Sequence, residues 1–145
     1  MKLLLNIKQL KKTINKESSL GFVPTMGALH KGHLSLIKKS QKLCKKTIVS
    51  IFINRSQFNK KNDYLNYPRN HKNDLKILKK TKIDYLFMPN ENDIFGIKRK
   101  KKIKLNNFHK LLCGKFRPGH FYGVVDVVDR FLSIIKPSFI FLGEK

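Results

Sequence analysis

Cysteine is almost absent from this chain. There are two, Cys44 and Cys113, and neither belongs to a CxxC pair, so a reduced cytoplasmic protein is the simple reading. Long hydrophobic runs are absent too. The N-terminal MKLLLNIKQLKK has too short an apolar run for a secretory signal, and no small-residue cleavage site follows it. No stretch is long and apolar enough to span a bilayer, so no membrane partner is expected. Acidic residues are scarce: nine Asp and Glu stand against 32 Lys and Arg, a formal charge of +23. Such an excess ordinarily points to nucleic acid or an anionic membrane. Here the lysines are scattered in pairs (Lys11–Lys12, Lys38–Lys39, Lys45–Lys46, Lys60–Lys61, Lys79–Lys80), with one run, IKRKKKIK at 97–104, that reads as a solvated loop or edge hairpin. No nucleic-acid-binding motif accompanies them, and Asn and Ile are also plentiful, which fits a general compositional bias, so nucleic acid is not the expected partner. Anionic small molecules would still be drawn in by the field.

What is present fits one globular domain: 145 residues, 41% of them hydrophobic. The stretch that organises it is Gly21 to Ser40, GFVPTMGALHKGHLSLIKKS. An apolar run from Leu20 to Val23 is closed by Pro24, which gives a sheet no donor. Gly27 allows a tight turn or a close backbone approach to a ligand. Leu29, His33, Leu36 and Ile37 then recur at helical spacing. Strand, glycine turn and helix in that order form the place where an open α/β sheet holds a nucleotide.

His30 and His33 are three apart and share one face of the first helical turn. The expectation is that both sit beside free backbone N–H groups, with Gly32 leaving room for a phosphate. Imidazoles there can donate to phosphate oxygens and stabilise charge in a phosphoryl transition state. A helix start with two exposed histidines is the plainer reading of a bare HxGH. A metal site is not expected, because no nearby Asp, Glu or Cys offers a third ligand.

Along the rest of the chain, residues 2–17 read as an amphipathic helix on Leu3, Ile7, Leu10 and Ile14, covering a sheet edge. The first strand is 20–24, and its helix runs to about Lys45. Thr47 to Ile53 is β-branched and apolar, as in a strand buried on both faces. Asn59 to Asn70 is loop-like. A helix at about His71 to Lys80 points Leu75 and Leu78 inward, and Asp84 to Met88 is a third strand. A helix from about Tyr122 to Lys136 buries Val124, Val127, Val128, Phe131 and Ile135, with Asp126 and Asp129 facing out. Ser138 to Leu142 is a fourth strand. The loops at 24–33, 54–57 and 143–145 each follow a strand, so a parallel sheet gathers them in one crevice.

PTMGALHKGHLSL at 24–36 resembles the signature of the pantothenate synthetase, or pantoate–β-alanine ligase, family. SIFINRSQF at 50–58, YPR at 67–69, RPGHFYGV at 117–124 and FLGEK at 141–145 agree in order. The HxGH element alone would indicate only the wider nucleotidyl-transferase superfamily. The resemblance implies an α/β fold with a Rossmann-like doubly wound parallel sheet. It also implies ATP-dependent joining of pantoate to β-alanine through a pantoyl-adenylate, with Mg²⁺ on the phosphates, and a homodimer in the full-length family.

The resemblance also implies roles. His33 and His30 are catalytic, with His33 in the acid role. Met26, Gly27, Ala28, Leu29, His30, Lys31, Gly32 and His33 bind ATP together with Gly143, Glu144 and Lys145. Gln57, Asn54, Tyr67, Arg117 and His120 hold pantoate or β-alanine. No residue is expected to ligate a metal. This chain departs from the family pattern at Arg55 and Ser56, where Pro and Thr are usual, and at Cys113, often Glu.

The family continues after GEK with a further strand and helix, a phosphate loop and a small lid. Residues 1–145 are therefore expected to be an N-terminal nucleotide-binding domain without the C-terminal lid. The expectation is a sheet incomplete at its C-terminal end, a bare edge that favours self-association, and no useful ligase turnover. Two rival readings are another HxGH-superfamily nucleotidyltransferase and a basic nucleic-acid-binding module.

Overall fold

A computed structural model of the protein describes residues 1–96 and 119–143. Five parallel strands form one sheet: β1 (Lys2–Leu4), β2 (Leu20–Thr25), β3 (Lys46–Ile51), β4 (Tyr85–Phe87) and β5 (Phe139–Ile140), in the order β1-β4-β3-β2-β5. The helices are α1 (Ile7–Ile14), α2 (Lys31–Leu43), α3 (Lys61–Leu65), α4 (His71–Lys80), α5 (Glu91–Phe95) and α6 (His120–Ile135), with a 3₁₀ turn at Arg55–Gln57.

Side-chain alternation divides the core in two. Phe22, Ile48 and Phe87 point to one face, where Leu10 and Ile14 of α1 and Val127, Phe131, Ile134 and Ile135 of α6 cover them. Val23, Val49 and Leu86 point to the other, under Ile37 of α2 and Leu78 of α4. Helices on both faces explain why β3 is buried from Thr47 to Ile51, with no polar alternation. Cys44, at the end of α2, is buried, and that burial pushes its thiol upward.

The first expected helix is wrong at its start. Lys2–Leu4 pair with Tyr85–Phe87 as an edge strand, and Leu4 is buried while Leu3 and Leu5 are exposed. That period of two is a strand signature. Asn6 then starts α1 afresh, its Oδ1 accepting the Gln9 N–H at 2.9 Å. The edge is thus held by β1, and α1 packs against α6 instead.

Two further expectations are corrected. The 59–70 stretch is not simply a loop. It contains α3, and Arg69 donates to the carbonyls of Tyr64, Leu65 and Tyr67 while its guanidinium lies 5.0 Å from the Tyr64 ring centroid. Asp126 does not face out. It is buried, and its Oδ2 accepts from Arg130 Nε at 3.0 Å one turn on. A charge within an apolar stripe is accommodated because its partner lies at i+4 on the same helix.

Candidate active site

β2 ends at Thr25, and the chain turns sharply through Gly27 (φ 82°) and Ala28 (φ 50°). Two successive left-handed residues direct their N–H groups inward. Gly27 N–H donates to Thr25 Oγ1 at 3.2 Å, Ala28 N–H to Asp74 Oδ2 at 3.0 Å and Leu29 N–H to Asp74 Oδ1 at 2.9 Å. A Cβ at residue 27 would lie 2.9 Å from Asp74 Oδ2, so both the conformation and the space select glycine.

His30 caps α2, and the two histidines serve each other. His30 Nδ1 accepts the Gly32 N–H at 3.1 Å, and His33 Nδ1 accepts the His30 N–H at 3.4 Å, in a reciprocal capping arrangement. The His30 and Gly32 N–H groups, expected to be free for phosphate, are therefore used by the rings. The space expected above Gly32 is also filled, since a Cβ there would meet His30 Cε1 at 2.9 Å. With Nδ1 accepting, each neutral imidazole carries its proton on Nε2, the outward donor. Burial, then the neighbouring His30, lowers the His33 pKa from 6.5, while Asp74 partly opposes this. His33 thus favours the neutral form, in which Nδ1 keeps its bond from the His30 N–H while Nε2–H remains a donor.

The second loop is fixed by one chain of hydrogen bonds. Asn54 Oδ1 accepts both the Ser56 N–H and the Ser56 hydroxyl, so the Asn54 amide nitrogen must donate. It donates to Gly123 O at 2.9 Å and to Gln57 Oε1 at 3.1 Å. Gln57 therefore turns its NH₂ toward Met26, whose Sδ is 3.0 Å away. A thioether is a weak acceptor, so this donor stays available to a carboxylate or hydroxyl. Ser56 keeps the hydroxyl role in this loop, and Arg55 is exposed at the start of the 3₁₀ turn.

α6 presses its first turn onto this loop. His120 Nδ1 lies 2.8 Å from Gln57 O, and a Cβ on Gly123 would come within 2.6 Å of Ser56 O. A carbonyl only accepts, so His120 carries a proton on Nδ1, and the neutral ring then leaves its lone pair on Nε2. Tyr67 is half-buried, its ring 5.5 Å from that of Phe58, and burial, followed by the Asp74 charge, raises its hydroxyl pKa.

These loops surround one cavity of about 500 Å³. Met26, His33, Asn54, Gln57, Tyr67, His120 and Gly143 line it, with an apolar wall that includes Phe52, Val124, Val127 and Phe131. Segments that follow β2, β3 and β5 therefore converge, as the strand-end argument expects. Of the other residues anticipated for ATP, Gly27, Ala28, Leu29, His30, Lys31 and Gly32 shape the loop and helix start beside the cavity and do not line it. Arg117, Glu144, Lys145, Cys113 and the basic run at 97–104 lie outside the described residues.

A profile of the Pantoate-beta-alanine ligase family matches residues 2–145. The chain belongs to the pantoate-beta-alanine ligase family. Its relatives include a pantothenate synthetase of Francisella tularensis subsp. novicida, 46% identical over 97% of this chain and 55% of the relative. Another, from Pseudothermotoga lettingae, is 43% identical over 97% of this chain and 51% of the relative. Among solved structures, a pantoate-beta-alanine ligase from Francisella tularensis complexed with beta-gamma ATP and beta-alanine superposes with a TM-score of 0.90 at 44% identity, covering 97% of this chain and 55% of that one. A Thermus thermophilus pantothenate synthetase superposes with a TM-score of 0.92 at 33% identity over 100% of this chain and 52% of that one. The chain spans about half the length of the relatives it matches.

Two features of this family member escaped the sequence. Asp74 reaches the nucleotide-type loop from 45 residues away, where a search for a nearby acid could not find it. Its signal was an acid in the first turn of α4, on the same face as the buried Leu78 at i+4. Gly123, within the RPGHFYGV stretch, is the other: it lets α6 approach Ser56 closely. Among the described residues no cluster of three His, Cys, Asp or Glu could hold a metal ion, and no helix is long and apolar enough to cross a membrane.

Proposed function

We propose that this chain carries the nucleotide and pantoate subsites of a pantoate–β-alanine ligase. In that reaction the pantoate carboxylate attacks the α-phosphate of ATP, pyrophosphate leaves, and the β-alanine amine displaces AMP from the acyl-adenylate. The observation that supports this best is the placement of His33 and Gln57 on one cavity: a donor suited to phosphate beside a donor suited to a hydroxy acid. His33 Nε2–H would meet the developing phosphoryl charge, with His30 beside it at a ring separation of 4.1 Å. Gln57, oriented by Asn54, would hold the pantoate carboxylate or hydroxyl, and the apolar wall would take its carbon skeleton. Tyr67 and His120 close the same side.

Mg²⁺ would arrive on the triphosphate and neutralise its charge, rather than sit in a protein cage. Asp74, the buried carboxylate beside the loop, already turns both oxygens to backbone N–H groups. A thermal-shift panel of ATP, pantoate, β-alanine and unrelated small acids tests the reading. Stabilisation by ATP and by pantoate, but not by the other acids, is expected. Stabilisation by a different acid, with none by pantoate, would point to another nucleotidyltransferase. Stabilisation by duplex nucleic acid that vanishes with salt would favour the basic binding module.

A further inference from the structure

We infer that Asp74 is a positioning residue for the nucleotide loop: its carboxylate fills the anion nest formed by the left-handed Gly27–Ala28 pair, and so leaves the outward imidazole edges as the donors that a phosphate meets. The second half of this statement rests on the nucleotide reading proposed above; the first half does not.

Successive residues with positive φ bring consecutive N–H groups onto one concave side, an arrangement that binds anions in many proteins. Here Gly27 has φ 82° and Ala28 φ 50°. The nest is occupied from within. Ala28 and Leu29 each donate to a separate oxygen of Asp74, at 3.0 and 2.9 Å, and Asp74 is 1% exposed. Thr25 Oγ1 takes the remaining Gly27 N–H while its own proton goes to Ser50 O at 2.7 Å. Three consecutive loop donors are thus spent inside the protein. Among the described residues no lysine or arginine pairs with Asp74, and its carboxylate oxygens are met by the Ala28 and Leu29 N–H groups. Removing the carboxylate would strand a buried donor at Leu29 and a partly buried one at Ala28, and free the turn that precedes His30.

The test uses ¹⁵N-labelled protein and reads the Ala28 and Leu29 amides directly. In the unmodified chain both should be protected from hydrogen exchange by about 100-fold or more over an open loop. Asp74→Ala should abolish that protection. Sodium formate should return both amide resonances toward their original positions in Asp74→Ala, and sodium chloride at equal ionic strength should not. A purely space-filling role for Asp74 would give no such carboxylate-specific rescue. Should Asp74→Ala not fold, Asp74→Asn decides: it keeps the shape but replaces one acceptor with NH₂, so one of the two amides should lose protection and the other keep it. Fast exchange at Ala28 and Leu29 in the unmodified chain would overturn the assignment. So would indifference of folded Asp74→Ala to formate, or unchanged protection of both amides in Asp74→Asn.

ATP then separates the two halves of the statement. Added to the unmodified chain, it should move the His33 ring resonances and leave the Ala28 and Leu29 amides in place; added to Asp74→Ala, it should move those amides. ATP that displaces the two amides in the unmodified chain would contradict the positioning role. ATP that moves nothing would remove the nucleotide reading, while the formate result would still decide the nest.

Discussion

The Nδ1 of His120 lies 2.8 Å from the main-chain carbonyl oxygen of Gln57. That bond ties the start of α6 to the loop after β3 and fixes the His120 tautomer. His33, on the same cavity, has the opposite arrangement, since its Nδ1 accepts a backbone N–H. The cavity therefore holds one outward ring donor and one outward ring acceptor. A long-range ¹H–¹⁵N spectrum at a pH where both rings are neutral should show His33 protonated on Nε2 and His120 on Nδ1. The same tautomer at both rings would contradict the assignment.

The pH behaviour of His33 follows from its surroundings. Burial and the neighbouring His30 depress its pKa below the ordinary 6.5, and Asp74 works against them. The folded state therefore binds this proton less readily than the unfolded state does. The resulting contribution to stability is complete above pH 6.5 and is lost as the pH falls through the folded value. Urea midpoints should fall between pH 7 and pH 5 by more in the unmodified chain than in His33→Gln. An identical pH slope in the two proteins would show that His33 titrates normally.

Gly123 tests how tightly α6 seats the loop. An added Cβ would meet Ser56 O at 2.6 Å, Ser56 C at 2.7 Å and Gln57 N at 2.8 Å, all of them backbone. Gly123→Ala should therefore cost roughly 1–3 kcal/mol by urea unfolding, the usual range for overpacking. Gly143→Ala is the control. Among the described residues nothing lies within 4 Å of the added atom, so its midpoint should stay close to that of the unmodified chain.

Arg130 ties α6 to α5. Its Nε donates to Asp126, its NH1 to the Ile94 carbonyl at 3.0 Å, and its guanidinium lies 4.8 Å from the Phe95 ring centroid. Both side chains of the pair are mostly buried, so Arg130→Ala should cost on the order of 3 kcal/mol. A loss near zero by urea unfolding would mean that solvent replaces all three contacts.

Much of this architecture was legible because it follows from local pattern. The apolar run 20–23, the proline, the glycine and the spacing of Leu29, His33, Leu36 and Ile37 place β2, the turn and α2 where the structure has them. β3 was legible from its unbroken apolar character. What the local pattern could not show were contacts made at a distance. Asp74 belongs to the Gly27 turn only once α4 has folded against it. Asp126 looked like a surface acid until Arg130 was seen to cover it. The strand at Lys2–Leu4 was hidden because three residues are too few for alternation to stand out against the helical spacing of Ile7, Leu10 and Ile14.

The central claim is that one cavity holds pantoate through Gln57 beside a nucleotide at His33. Calorimetric titration of pantoate and of ATP into the unmodified chain and into Gln57→Ala tests it most directly. Loss of a buried hydrogen bond should weaken pantoate by about 1–3 kcal/mol, or roughly 5- to 150-fold in Kd, while the ATP Kd stays within about twofold. Equal weakening of both ligands would make Gln57 a support of the loop only, and unchanged pantoate affinity in Gln57→Ala would contradict the account.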